Sequence, residues 1–328
     1  VDQALRLGEQ STTAPAMRAI LIEKAGSFKI IELPIPSPGA GEVLVQMQVM
    51  ALCNQHDLKV NRGLYRDLVY LEYGVPGFPG HEGAGVVTAL GSGVTGFTVG
   101  DHVVMSGLGG PPLYAEFVTR KTGQIVQVKK EVPLEQVAMS ELFGCVHRAV
   151  RKVADYADRS VAVFGCGAAG LAAIQLARVF GAREVTAIDV APDRLRLARE
   201  LGADQVVDAT DAAGMERLKR AGADIVIECS GHKAAYAAAC HIARQSLVIF
   251  GYAEGVMEVP LWPLFDHELT IHNSKWLTHE DLTAVVRLIE SGKIRTDRLI
   301  SRRLDFMGYP EAVAAVGRGE IIKVVMTP

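Results

Sequence analysis

The sequence predicts an α/β protein in which a doubly wound parallel sheet is joined to a second, mostly β domain. Three observations predict it. Short β-like runs separated by Gly and Pro clusters fill residues 17–128, whereas from about residue 155 to 275 strand and helix signals alternate. At the first strand-to-helix junction of that alternation stands a glycine-rich turn. At 328 residues the chain is long enough for two domains, and 49% hydrophobic with 22% charged residues is a globular composition.

In the first region the β-like runs fall at residues 19–22, 30–33, 43–47, 85–87 and 102–104, with breaks at 34–39 and 76–80. Residues 1–16, mostly polar or small, read as a mobile N-terminal extension ahead of the alternation that begins at Met17. A helical stretch over 134–156 leads into the second region. There, strands at 161–164, 184–188, 205–207, 224–228, 247–250 and 269–272 alternate with helices at 171–180, 193–201 and 233–243. Such alternation calls for a parallel sheet covered on both faces, with strand order 3-2-1-4-5-6. A helix at 280–291 and a strand at 321–326 are expected to return to the first domain. The resulting division is 17–154 with 276–328 as one domain and 155–275 as the other.

A formal net charge of −3 gives no positive field for nucleic acid or anionic lipid. The most apolar segment, 161–177, is interrupted by three glycines and is too short to span a membrane. The five cysteines, Cys53, Cys145, Cys166, Cys229 and Cys240, are odd in number and never spaced C-x-x-C. A reducing cytoplasm therefore fits better than a disulfide-forming compartment.

Residues 160–164 run directly into Gly165-Cys166-Gly167-Ala168-Ala169-Gly170 and an Ala/Leu-rich helix. In this strand, turn and helix order the first glycine permits the tight turn, the second admits a pyrophosphate, and the third lets helix and strand pack closely. Asp189 ends the next strand, where a carboxylate accepts both ribose hydroxyls of NAD and repels the 2′-phosphate of NADP. A Rossmann-type NAD site follows, with Arg194 a candidate contact on the adenosine side. Ser230-Gly231, Phe250-Gly251-Tyr252 and Ser274-Lys275-Trp276, at the ends of later strands, are candidates to line the nicotinamide.

The segment Gly80-His81-Glu82-Gly83-Ala84-Gly85-Val86-Val87, then Gly91, Val94, Gly100-Asp101 and Val103, precede that fingerprint in order. On these residues the chain resembles the medium-chain dehydrogenase/reductase superfamily, the zinc-dependent alcohol and polyol dehydrogenases, from Met17 to Pro328. The resemblance implies a GroES-like substrate domain with a catalytic zinc facing the nicotinamide, and an alcohol or carbonyl compound as hydride donor or acceptor. Cys53 and His81 are the implied first two ligands. Glu141, in Ser140-Glu141-Leu142, matches the acid-bearing version of the third, and Cys145, one helical turn on, is the alternative. A thiolate, an imidazole and a carboxylate leave one position open, where zinc can acidify a bound oxygen. Glu82 is a candidate exchanging ligand, and Asp57 a candidate to orient the His81 ring.

Two departures from the pattern stand out. Cys53-Asn54-Gln55-His56-Asp57 has an extra residue and no hydroxyl where relatives carry C-x-S/T-D, which leaves His56 or Gln55 to carry the proton. Residues 105–114 contain no cysteine, so one catalytic zinc and no structural zinc is the expectation. Tyr65, Tyr70, Trp262 and Trp276 are candidates to shape the substrate pocket. The apolar stretch 259–269 either extends the sheet across a homo-oligomer or is internal core. Two rivals are a zinc-free quinone or enone reductase of the same fold and a non-catalytic NAD-sensing protein.

Overall fold

The computed structural model describes residues 15–64, 73–252, 256 and 258–328. Most of the N-terminal extension, together with Tyr65 and Tyr70, lies outside the described residues. The chain opens with a hairpin of β1 (Ala16–Leu21) and β2 (Lys29–Pro34), followed by β3 (Glu42–Ala51) and the short helix α1 (His56–Arg62). Strands β4 (Glu82–Leu90), β5 (His102–Ser106), β6 (Phe117–Lys121) and β7 (Ile125–Val128) come next. β3 is the hub of their sheet, pairing antiparallel with both β4 and β6. Val45, Met47 and Val49 are buried and alternate with exposed Gln46 and Gln48, whereas both ends of the strand are buried on both faces.

The stretch expected as one helix over 134–156 is two: α2 (Leu134–Val137) and α3 (Ser140–Val150). Helix α3 ends at Val150, so Tyr156 lies beyond it, buried, with its hydroxyl donating to the Val150 carbonyl at 3.0 Å. The alternating region then runs β8 (Ser160–Phe164), α4 (Ala168–Val179), β9 (Glu184–Asp189), α5 (Pro192–Glu200), β10 (Gln205–Asp208), α6 (Ala212–Ala221), β11 (Ala223–Glu228), α7 (Lys233–Ile242), β12 (Ala243–Ile249), α8 (Leu261–Asp266) and β13 (Thr270–Asn273). Its six strands are all parallel, in the order β10-β9-β8-β11-β12-β13. In order of appearance that is 3-2-1-4-5-6, the Rossmann arrangement. Helix α4 is apolar almost all round and correspondingly buried along most of its length. Helix α6 gave no clear sequence signal because Gly214 stands in its first turn and a charged run follows; Asp211 starts it by accepting the Ala213 N–H at 3.1 Å.

The chain ends with α9 (His279–Glu290), β14 (Ile300–Asp305), α10 (Tyr309–Gly317) and β15 (Lys323–Thr327). β15 pairs antiparallel with β3 and parallel with β14, so the C-terminal segment joins the N-terminal sheet. β14 escaped the sequence reading because it is a charged strand on that sheet's edge. Helix α9 lies against α3, where its N-terminal Asp281 meets His147 Nδ1 at 2.8 Å and Arg151 Nε at 2.6 Å. The apolar stretch 259–269 is largely helix α8 rather than strand, with Leu261, Trp262 and Phe265 exposed. Among the described residues no helix is long and apolar enough to cross a membrane.

Candidate active site

Pairing of Ala51 with Glu82 in the β3/β4 ladder brings Cys53, two residues beyond β3, and His81, one residue before β4, to the same end of the sheet. Asp57 clamps the Cys53 loop: its Oδ2 accepts the Cys53 N–H at 3.1 Å, and the Asp57 N–H returns a bond to the Cys53 carbonyl at 3.0 Å. Asp57 is fully buried, and its Oδ1 accepts the Tyr114 hydroxyl at 2.9 Å. His81 Nδ1 lies 2.9 Å from the Pro79 carbonyl. A carbonyl only accepts, so Nδ1 carries the hydrogen and Nε2 is left as the ligand atom. The orienting partner of the ring is thus Pro79 and not Asp57, because a backbone carbonyl two residues away is already in place.

One ligand atom each from Cys53, His81 and Glu82 lie within 4.8 Å of one another. Glu82 is fully buried, and its Oε1 accepts Lys323 Nζ at 2.6 Å. The same ammonium donates to the Leu52 carbonyl at 2.7 Å. Glu82 Oε2 is buried with no hydrogen-bond partner, which is a free donor atom beside a thiol and an imidazole. Lys323 was missed by sequence reasoning. The available signal was a lysine heading the otherwise apolar Lys323-Val324-Val325-Met326, which can be buried only against an anion.

Glu141 and Cys145 occupy one face of α3, the thiol donating to Glu141 Oε1 at 3.2 Å. Glu141 is buried but lies outside the 4.8 Å set, in which the acid is Glu82. Burial would lower the basicity of His81, yet Cys53, then Glu141 and Glu82, outweigh it and hold the ring well above its ordinary value. Burial also pushes the Glu82 carboxyl up, with Lys323 opposing and Glu141 reinforcing. Burial and then Glu141 raise the Cys145 thiol well above the ordinary range, so it stays a neutral donor. Three acidic groups around one imidazole make a site able to hold a cation. The donor set of sulfur, nitrogen and oxygen fits zinc.

His56 packs edge-on to His81, with ring centroids 5.0 Å apart. Burial, and then repulsion from His81, lowers it to about 3, so its imidazole is neutral near neutral pH. Its ligand atom also lies within 4.8 Å of those of Asp57 and His81. Gln55, the other residue considered for proton transfer, is exposed.

The glycine turn is built as a dinucleotide cradle. Gly165 has φ +83°, and a Cβ on Gly170 would stand 1.6 Å from the Gly165 carbonyl oxygen. Gly167 begins α4 with no side-chain cap and open space where a Cβ would be, leaving the N–H groups of the first turn, which includes Ala168 and Ala169, for an anion. Asp189 Oδ2 accepts the Cys166 N–H at 2.6 Å and Oδ1 the Ala191 N–H at 2.9 Å, which fixes the carboxylate beside the turn. Arg194 donates to the Gly319 carbonyl at 3.1 Å, tying α5 to the C-terminal segment. Ser230 and Gly231 follow β11; Gly251 and Tyr252 follow β12. The Tyr252 ring lies under Lys59 Nζ of α1 at 3.7 Å, a contact between the two sheets' territories. Trp276 is part exposed with Lys275 over its ring, whereas Trp262 is on the outer surface of α8 and does not line this site.

Family models match on both sides of the chain: "Alcohol dehydrogenase GroES-like domain" at residues 39–130 and "Zinc-binding dehydrogenase" at residues 168–291. The chain belongs to the medium-chain zinc-binding alcohol and polyol dehydrogenases. As a member of that family it is an oxidoreductase. It is 26% identical to the sorbitol dehydrogenase of Halalkalibacterium halodurans, covering 92% of this chain and 96% of that one. It is 25% identical to D-xylulose reductase A of Aspergillus oryzae, covering 98% and 99%. The solved 2R,3R-butanediol dehydrogenase of Bacillus subtilis superposes with a TM-score of 0.84 at 23% identity, over 95% and 99%, and shares the fold. Zinc binding is thus a family property, and the clustered donors at Cys53, His81 and Glu82 lie in the segment that the first of these models matches.

Proposed function

We propose that this dehydrogenase oxidises a secondary alcohol of a polyol or related alcohol, or reduces the corresponding ketone, using NAD and one zinc per chain. The observation that carries the proposal is the Cys53, His81 and Glu82 donor set, within which Glu82 Oε2 is buried and unpartnered. Cys53 Sγ and His81 Nε2 would hold the metal with Glu141 as third ligand, its carboxylate already beside the pair electrostatically. Glu82, held by Lys323, would lie beside the metal as a carboxyl group able to exchange with water. Zinc supplies an electrophile that lowers the pKa of an alcohol, and nicotinamide supplies the hydride acceptor.

The chain's own residues do the remaining work. Pro79 fixes the tautomer of His81, and Asp57 fixes the Cys53 loop. The neutral His56 ring, beside His81, would pass a proton without storing it. Asp189 supports NAD over NADP, since its carboxylate stands where a 2′-phosphate would be repelled.

In the same reading, residues 17–154 with 276–328 form the substrate domain and 155–275 the nucleotide domain. The exposed edge strand β13 with Leu261, Trp262 and Phe265 of α8 supports a homo-oligomer. Five free thiols support a cytoplasmic setting, and the partners are small molecules rather than nucleic acid or membrane.

The test is a panel of polyols and secondary alcohols with NAD and zinc-replete protein, following NADH formation. The reading expects turnover with a vicinal polyol, loss on chelation and recovery with added zinc. Turnover that persists in metal-free protein would favour the zinc-free reductase reading, and no turnover with any substrate would favour the sensor.

A further inference from the structure

Glu228 ends β11, the strand beside β8 in the parallel sheet. Its side chain is fully buried. Its carboxylate contacts among the described residues are with uncharged donors: the Ser230 N–H at 2.8 Å, the Ser230 hydroxyl, and the Gly231 N–H at 3.1 Å to each oxygen. Among the described residues no basic side chain pairs with it. Both oxygens thus have donors, but no cation offsets the charge that a carboxylate carries. An unneutralised buried charge is costly, so its retention calls for a reason.

Its position supplies one. The Glu228 carbonyl accepts the Phe250 N–H at 2.9 Å and the Gly251 N–H at 2.8 Å, tying the end of β12 to that of β11. A Cβ on Gly251 would stand 2.4 Å from Glu228 Oε2, and one on Gly165 would stand 2.9 Å from Ser230. The carboxylate therefore sits where the turns after β8, β11 and β12 meet. In a doubly wound sheet a dinucleotide crosses at this switch point. Asp189, on the β9 side, marks the adenosine end, which leaves the β11/β12 side for the nicotinamide.

The nicotinamide ring is a cation when oxidised and neutral when reduced. We propose that Glu228 is a positioning residue whose buried charge also strengthens binding of NAD+ relative to NADH, setting the redox preference of the site. Its charge is already felt next door: burial first, and then Glu228, raise the Cys229 thiol well above its ordinary range. This inference rests on the dinucleotide reading above.

The test measures dissociation constants of NAD+ and NADH, without alcohol, by calorimetry on the zinc-loaded full chain and two variants. Glu228→Gln removes the charge at nearly constant shape and is expected to weaken NAD+ relative to NADH by about fivefold. Glu228→Asp keeps the charge but withdraws the oxygens from Ser230 and Gly231, and is expected to weaken both forms with their ratio held within about twofold. Equal weakening of both forms by Glu228→Gln, or no change, overturns the proposal and leaves Glu228 a scaffold. If Glu228→Gln does not fold, the neutral Glu228→Met variant decides by the same ratio: NAD+ weakened relative to NADH supports the role of charge, and equal weakening of both forms overturns it. Absence of binding of either form to the wild type overturns the dinucleotide reading itself.

Discussion

The dinucleotide turn and the proposed metal cage are made of different materials. The turn is contiguous backbone: Gly165 to Gly170 with one carboxylate, Asp189, whose two oxygens are each satisfied by an N–H. The cage is side chain, gathered from the loop after β3, the start of β4, helix α3 and strand β15, and it concentrates acids that repel one another. A backbone site is complete once the fold forms. A cage of like charges is complete only with a cation and with Lys323 in place.

Substitutions should therefore break the two regions differently. Cys53→Ser is expected to lose the metal and lower turnover on the order of 10³-fold while leaving NADH binding within about twofold, read by metal analysis and fluorescence titration. Gly170→Ala should do the reverse, since its Cβ would overlap the Gly165 carbonyl: zinc is kept and NADH binding lost. Lys323→Met leaves Glu82 buried without its partner, and urea unfolding should show a loss of about 3–5 kcal/mol.

The link between α3 and α9 gives a pH-dependent contrast. Burial alone would raise Asp281, but bonds from Arg151, Thr278 and His147 outweigh it and hold the carboxyl well below its ordinary 3.8. A depressed folded pKa gives stability that is present above the unfolded value and lost as pH falls through the folded one. Asp281→Asn should thus cost about 2 kcal/mol near neutral pH, measured by denaturant titration, and the gap from wild type should narrow below about pH 4. The smallest expected effect is at the cofactor: Asp189→Asn should reduce the preference for NAD over NADP about tenfold, from the ratio of the two kcat/KM values.

The same contrast explains what was legible in the sequence. Parallel order, glycine fingerprint and Asp189 follow from local periodicity and one short motif, because neighbours in that site are neighbours in the chain. Cys53 and His81 could be named from flanking residues, but which acid joins them within 4.8 Å depends on the β3/β4 register and the pitch of α3, and the structure puts Glu82 in that set and not Glu141. Pro79 as the partner of His81 is a backbone contact that residue type does not encode. Lys323 arrives from 241 positions beyond Glu82 by way of the β15/β3 pairing. The helix break between Val137 and Ser140 and the charged edge strand β14 were hidden for a related reason, since tertiary packing and edge position decide them.

Anomalous scattering at the zinc absorption edge, from crystals grown with the metal and dinucleotide, tests the central claim most directly. One peak per chain is expected, about 2.3 Å from Cys53 Sγ and about 2.0–2.1 Å from His81 Nε2. A peak at another place, or none in zinc-replete crystals, would contradict it.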